Sequence, residues 1–336
     1  MKKIIAFIGC LLLVTLVNPS GIFAQRKVTI KLASMAPENT VWGAALNRIS
    51  REWAAVSNGE VELRVYHNGV AGTETDVLQK LKINQIQAAV LTSFGINLIS
   101  PEVMTLSTPF FIRDDNELKT VLNAIKPELE AKINAKGFQT LTWVKSGWVK
   151  LFSKSPVFVP SDLKRLKVGT TPDAPELTQA FKTMGYQMIP INGSDTLIAL
   201  NSNRIEALYQ SPVMVGGLQL FGVAKHMTSL NVAPFMAGIF LNERAWRMIP
   251  EQYRAEIARR SNRIAEEIDA SITQLEAEAV QTMKRHGLVV NQVSPEQSQI
   301  WYSDMERAID SLLGTVFDRD TYKKVQLILT DYRSKR

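Results

Sequence analysis

The sequence predicts an α/β protein of two domains, and three observations carry that expectation. The chain has 336 residues, about twice the usual single-domain length. Short apolar strands alternate with helical segments in two separate stretches, the pattern of mixed sheets flanked by helices. One uninterrupted helical pattern, from Glu251 to about Arg285, is long enough to lie along both domains, about 50 Å at the usual helical rise.

Composition narrows the class. With 46% hydrophobic and 21% charged residues, the chain is neither disordered nor a polytopic membrane protein. Three histidines and one cysteine leave little material for metal or redox chemistry, and a single cysteine excludes an intramolecular disulfide. The net charge is +7, but acids interleave with bases. The clustered basic footprint that nucleic acid requires is missing.

The first 24 residues read as a cleavable export signal. Lys2 and Lys3 precede an apolar run from Ile4 to Val17, a breaker cluster at Asn18–Gly21 and a cleavage position after Ala24. The run is shorter than a membrane span. Retention as an anchor, or lipidation at Cys10, are the alternatives. Removing the leader takes away two lysines and the only cysteine, leaving a net charge of +5. The expected compartment is the periplasm.

The elements follow in order. Val28–Ala33 is a short strand, Val41–Val56 a helix closed by Ser57-Asn58-Gly59, and residues 60–66 an alternating strand ended by His67-Asn68-Gly69. A helix near 74–83 and a buried strand at Ala88–Leu91 complete the first stretch. The second stretch has strands at 139–143, 149–153 and 166–170, a helix at 175–184, a strand at 187–189, a helix at 194–202 and a strand at 205–208. In the long segment after Pro250, no proline or glycine intervenes before Arg285. Ile257, Ile264, Ile268, Ile272, Leu275, Val280 and Met283 recur at broadly helical spacing. A coiled-coil dimer seam is the competing reading of that segment.

No catalytic constellation is legible. His67, His226 and His286 are far apart. There is no His-Glu-x-x-His or Gly-x-Ser-x-Gly, and Gly216, Gly217 and Gly222 lack phosphate-loop spacing. An exported two-domain α/β chain of this kind is most simply a ligand-binding protein.

Specific segments then resemble a known family, the extracytoplasmic solute-binding subunits of tripartite ATP-independent periplasmic (TRAP) transporters, of DctP type. Lys31–Pro37 is similar to the family's first strand and turn, and Ser57-Asn58-Gly59 with Tyr66–Gly69 to the next helix, strand and turn. Pro109–Asp114 resembles its Pro-Phe-x-Phe-Arg segment, and Pro160–Val168 the approach to the second domain. Ala199-Leu200, Ile205-Glu206-Ala207 and Ala245-Trp246 are also similar. Similarity runs from about residue 28 to 285.

The resemblance implies two α/β lobes closing on a ligand across a hinge, bridged by one long helix, with no cofactor and no catalysis. Lobe I is expected at 25–148 plus about 234–262. Lobe II is expected at 149–233 plus about 263–336. The implied partners are a small-molecule ligand, membrane permease subunits and a periplasmic tetratricopeptide-repeat protein.

The sequence departs from the family where it matters for ligand. Two arginines of the family hold substrate carboxylate, a task suited to a planar guanidinium. Their matching positions here are Val149 and Gly169. Lys150 neighbours Val149, but adjacent residues on a strand face opposite ways. Met35, Trp42, Phe94, Trp148, Tyr209, Met214 and Phe235 lie with them on cleft-lining segments, beside Thr92, Ser93, Thr170 and Gln210 as neutral hydrogen-bonding groups. The expected ligand is therefore hydrophobic or uncharged. A carboxylate receptor using a non-standard cation, and an interaction protein that has lost its ligand, are the alternatives.

Overall fold

The computed structural model describes residues 27–172 and 175–335. The expected leader, its cleavage after Ala24 and the alternatives at Cys10 lie outside the described residues. Among the described residues, no helix is long and apolar enough to cross a membrane.

The chain opens with β1 (Val28–Ala33), α1 (Val41–Val56), β2 (Val61–Tyr66), α2 (Glu74–Lys82) and β3 (Ala88–Thr92). Local chemistry sets these boundaries. The Thr40 hydroxyl caps α1 by accepting from Gly43 N, and Thr73 with Asp76 forms a reciprocal capping box on α2. Next come α3 (Ser93–Asn97), α4 (Asp115–Ala135) and β4 (Phe138–Ser153). The second half runs through α5 (Pro160–Lys164), β5 (Lys167–Thr170), α6 (Pro175–Thr183), β6 (Gln187–Pro190), α7 (Thr196–Asn201), β7 (Ala207–Gln210), α8 (Pro212–Gly217) and β8 (His226–Thr228). The chain then returns through β9 (Ala233–Asn242), α9 (Glu243–Met248) and α10 (Glu251–Arg285). It closes with β10 (Val289–Asn291), α11 (Pro295–Leu312) and α12 (Arg319–Ser334).

The strands lie in the order β2-β1-β3-β9-β4-β7-β5-β6, with β8 and β10 branching from β4. β1 runs parallel to β2 and β3, and β5 parallel to β6 and β7. β4 is antiparallel to both β9 and β7. It pairs with β9 as far as Val149↔Ala233 and with β7 from Lys150↔Gln210 onward. One strand therefore belongs to both lobes, and the change of partner falls between Val149 and Lys150. The sequence predicts separate strands at 139–143 and 149–153. The structure keeps the strand continuous and absorbs Ser146 and Gly147 in a register shift between Lys145 and Trp148.

Each sheet is covered on both faces, as its nearly continuous apolar strands require. In lobe I, one face packs Leu118, Val121, Ile125 and Ile133 of α4 against Phe240 and Trp148. The other packs Ile30, Leu32 and Leu63 against Trp53 of α1 and Ile257 and Ile264 of α10. In lobe II, Leu151, Val168 and Met188 meet Trp301 and Met305 of α11, while Phe152, Leu208 and Ile205 meet Val215 of α8 and Met283 of α10. The 35-residue α10 thus serves the core of both lobes. Ile257, Ile264, Ile272 and Met283 are buried within the chain itself, and Ile268, Leu275 and Val280 are half-buried. α12 touches both cores: Val325 and Leu329 join the lobe I cluster beneath α4, and Tyr322 joins the lobe II cluster.

Candidate functional site

In sheets of this kind ligands bind beyond the carboxyl ends of the parallel strands. In lobe I these ends are Ser34-Met35 after β1, Asn68-Gly69 after β2, and Thr92. In lobe II they are Thr170, Pro190 and Gln210.

The lobe I rim holds only a shallow recess, too narrow to admit a water molecule, lined by residues including Met35, Gly69, Glu74 and Val90. Met35 is 47% exposed and lies over Gly69, where a side chain would meet its sulfur and methyl group. Glu74 is buried at the start of α2 and accepts from Thr92 N at 2.6 Å and from Thr92 Oγ1 at 2.8 Å. Thr92 Oγ1 also accepts from Phe94 N to start α3. Ser93 is buried and accepts from Ser107 Oγ at 2.8 Å. Both hydroxyls are thus held by the protein. Trp42, the second residue of α1, keeps its indole Nε1 buried without a partner among the described residues.

The structure brings Phe94 and Tyr209 onto the same cluster. Phe94 leaves the end of β3 in lobe I, yet packs against the lobe II core around Leu151, as Tyr209 does. The Tyr209 phenol lies 2.9 Å from Thr170 Oγ1, and burial pushes its pKa up. Thr178 Oγ1 donates to Thr170 Oγ1 from α6 at 3.4 Å. Gln210 Oε1 accepts from Ser211 N, and half-buried Met214 follows on α8. Phe235, half-buried on β9, lies opposite the register shift of β4.

The two vacant arginine positions have different surroundings. Val149 is buried, and its carbonyl accepts from Val232 N at 2.9 Å. Gly169 lies on the opposite face of the lobe II sheet, where a Cβ would fall 2.8 Å from Ile205 Cδ1. Ile205 therefore occupies the space through which a longer side chain would leave.

Trp148 is 5% exposed and sits in the lobe I core. Its Nε1 donates to Asp115 Oδ1 at 2.8 Å and its backbone N to Glu276 Oε1 at 2.7 Å. Trp148 ties β4 to α4 and α10.

These bonds belong to a charged network around the strand both lobes share, which the sequence reading missed. Asp115 also accepts from Lys145 Nζ at 2.6 Å, and from Thr273 Oγ1 at 3.3 Å. Asp269 accepts from Lys145 N. Burial raises the Asp115 carboxyl, but its bonds from Lys145 and Trp148 outweigh this and hold it below the usual range. Burial pushes Glu276 up to about 7. Gly147, at φ +125°, leaves room for Glu276 Oε1, which would collide with any Cβ there.

Lys150 lies on the lobe II side of the partner change. Its Nζ donates to Ser229 O at 2.7 Å, and among the described residues no carboxylate lies within 4.0 Å of it. Burial pushes its pKa down to about 8, against a smaller opposing pull from Glu276. Among the described residues no group of His, Cys, Asp and Glu could hold a metal ion.

Fold and strand ends together define a two-lobed solute-binding protein, and comparisons with known proteins agree. A solved TRAP periplasmic solute-binding protein of Ralstonia eutropha with bound (S)-2-acetolactate has 18% identity and a TM-score of 0.83, over 90% of this chain and 99% of that one. A Sulfurospirillum deleyianum counterpart with bound succinate has 21% identity and a TM-score of 0.81, over 90% and 99%. A solute-binding protein of Verminephrobacter eiseniae is 25% identical over 224 residues, 66% of each chain. The sequence profile of the bacterial extracellular solute-binding proteins, family 7 (DctP), matches residues 32–314. The chain belongs to that family.

Proposed function

We propose that this protein is the periplasmic receptor of a TRAP-type secondary transporter. It closes two lobes on a small organic acid with a largely apolar body and hands it to membrane permease subunits. The observation that carries the reading is the shared strand. β4 changes partner from β9 to β7 between Val149 and Lys150, with α10 running behind both lobes. Two rigid bodies joined along one seam can rotate and bring their strand ends together, and contacts from the ligand to both lobes stabilise the closed form.

The apolar body follows from half-buried Met214 and Phe235, exposed Met35, and the absence of arginine at 149 and 169. The acid group replaces the uncharged ligand expected from sequence, because Lys150 is sunken and, among the described residues, no carboxylate pairs with it directly. Two relatives are described with bound acids, succinate and (S)-2-acetolactate. The reading assigns capture and no catalysis.

A thermal-shift screen of the purified protein tests it. The panel comprises succinate, (S)-2-acetolactate, branched 2-oxo acids, short fatty acids and aromatic monocarboxylates, each beside its amide. A receptor gains stability by mass action, about 2.7 kcal/mol at a hundred times Kd. At least one acid should raise the midpoint well above its amide. A midpoint that moves with none of them, and only with a protein partner, would show an interaction protein on the same fold.

A further inference from the structure

We infer that Lys150 is the cation that holds the ligand's acid group, from the same sheet face as the vacant Gly169 position. The inference rests on the receptor reading and names the residue that would make it work.

Register establishes the face. Residues paired across neighbouring strands point the same way. Gly169 pairs with Leu208, Leu208 with Phe152, and Lys150 with Gln210 two residues further along both strands. Phe152, Leu208 and the Ile205 side chain over Gly169 all belong to the cluster under α8 and α10. Lys150 and Gln210 therefore share the face of Gly169, at the carboxyl end of β7, next to the change of partner between lobes. Val149 and Tyr209 face the other way. Lys150 thus fails as a stand-in for position 149 and fits as one for position 169.

Its bonding is incomplete. An ammonium has three donors, and this one has a single acceptor, Ser229 O, among the described residues. Its paired neighbour Gln210 is neutral and already bonded to Ser211 N. From α10 the charged group that acts on it is Glu276, whose Oε1 is engaged by Trp148 N, with Lys145 and Asp115 behind it. A sunken charge with no directly bonded counter-charge is unfavourable in the empty protein. A carboxylate arriving in the closing cleft supplies both the charge and the acceptors. Unlike arginine, lysine titrates near neutrality when desolvated. The grip would weaken as pH rises past about 8.

Calorimetric titration of Lys150→Met, Lys150→Gln and Lys150→Arg tests this with the tightest acid of the panel, from pH 6.5 to 9.5. The Met and Gln variants should bind at least tenfold more weakly and Arg within a few-fold of wild type. Wild-type affinity should fall above pH 8 while that of the Arg variant stays flat. Without ligand, the Met variant should melt at the same temperature or higher, which a purely structural lysine would not allow. Unchanged affinity in both neutral variants, or a flat wild-type profile, overturns the role of Lys150 alone. Failure of every acid to bind wild type overturns the receptor reading and this inference with it.

Discussion

Two lysines five positions apart on β4 are treated differently by the fold. Lys145, on the lobe I side of the register shift, is 6% exposed and donates to Asp115 at 2.6 Å, with Thr273 Oγ1 at 3.4 Å as a further neighbour. Lys150, on the lobe II side, has one backbone carbonyl. A lysine that holds a structure together finds its counter-charge within the chain, since buried charge is otherwise costly. A lysine left without one marks a place where the chain expects something from outside. The same strand thus carries a structural cation where its partner is β9 and an unsatisfied one where its partner becomes β7.

The contrast breaks most visibly at Asp115. Replacing it with Ala leaves the Lys145 ammonium sunken without a carboxylate and deprives Trp148 Nε1 of its acceptor. We expect a loss of about 3 kcal/mol in urea denaturation. A loss as small as that of a surface pair would mean that Lys145 is no better provided for than Lys150.

Glu276 sharpens the comparison from the opposite charge. Its carboxyl stands at about 7 in the folded protein, against an ordinary value of 4.5. Between those values the unfolded chain releases a proton that the folded chain retains, so stability falls as pH rises through that window. Above it the penalty is constant, on the order of 3 kcal/mol. Glu276→Gln should therefore match wild type near pH 4 and exceed it by about 2 kcal/mol at pH 8, some of the gain being lost to a weaker bond from Trp148 N. The same variant removes the one acid that acts on Lys150, so the lysine should titrate at lower pH than in wild type. Equal stability of wild type and variant at pH 8 would show that Glu276 is ionised at ease.

Much of the frame that positions these groups is legible in the sequence. The β1–α1–β2–α2–β3 unit and its lobe II counterpart show alternation, caps and turn residues at the expected places, and α10 announces itself by lacking any breaker. α4 is concealed by Pro127 in its interior, and β9 by burial on nearly every residue, which erases alternation. The continuity of β4 is hidden because Gly147 resembles a turn residue, whereas it serves a register shift and makes room for Glu276. Along the site, the residue types at strand ends are legible and their facing is not. Whether Lys150 shares a face with Val149 or with Gly169 depends on register across three strands, a tertiary property that no local pattern encodes. The partners of Trp148 are illegible for the same reason, since they come from α4 and α10.

The smallest expected effect supplies the control that both lysines need. Lys324 on α12 pairs with Glu128 on α4 at 2.6 Å, with both side chains nearly half exposed. An ion pair bathed in solvent gains little over two hydrated charges and pays side-chain entropy to form. Lys324→Met should change stability by no more than about 0.5 kcal/mol, and what change there is should vanish in 0.5 M salt. α12 is held to lobe I by Val325 and Leu329 in the core and by Arg333, which bonds buried Glu117 and the Phe111 carbonyl. If Lys324→Met instead cost as much as Asp115→Ala, distance alone would govern these pairs. The inference that an unpaired lysine is conspicuous because it is sunken would then lose its footing.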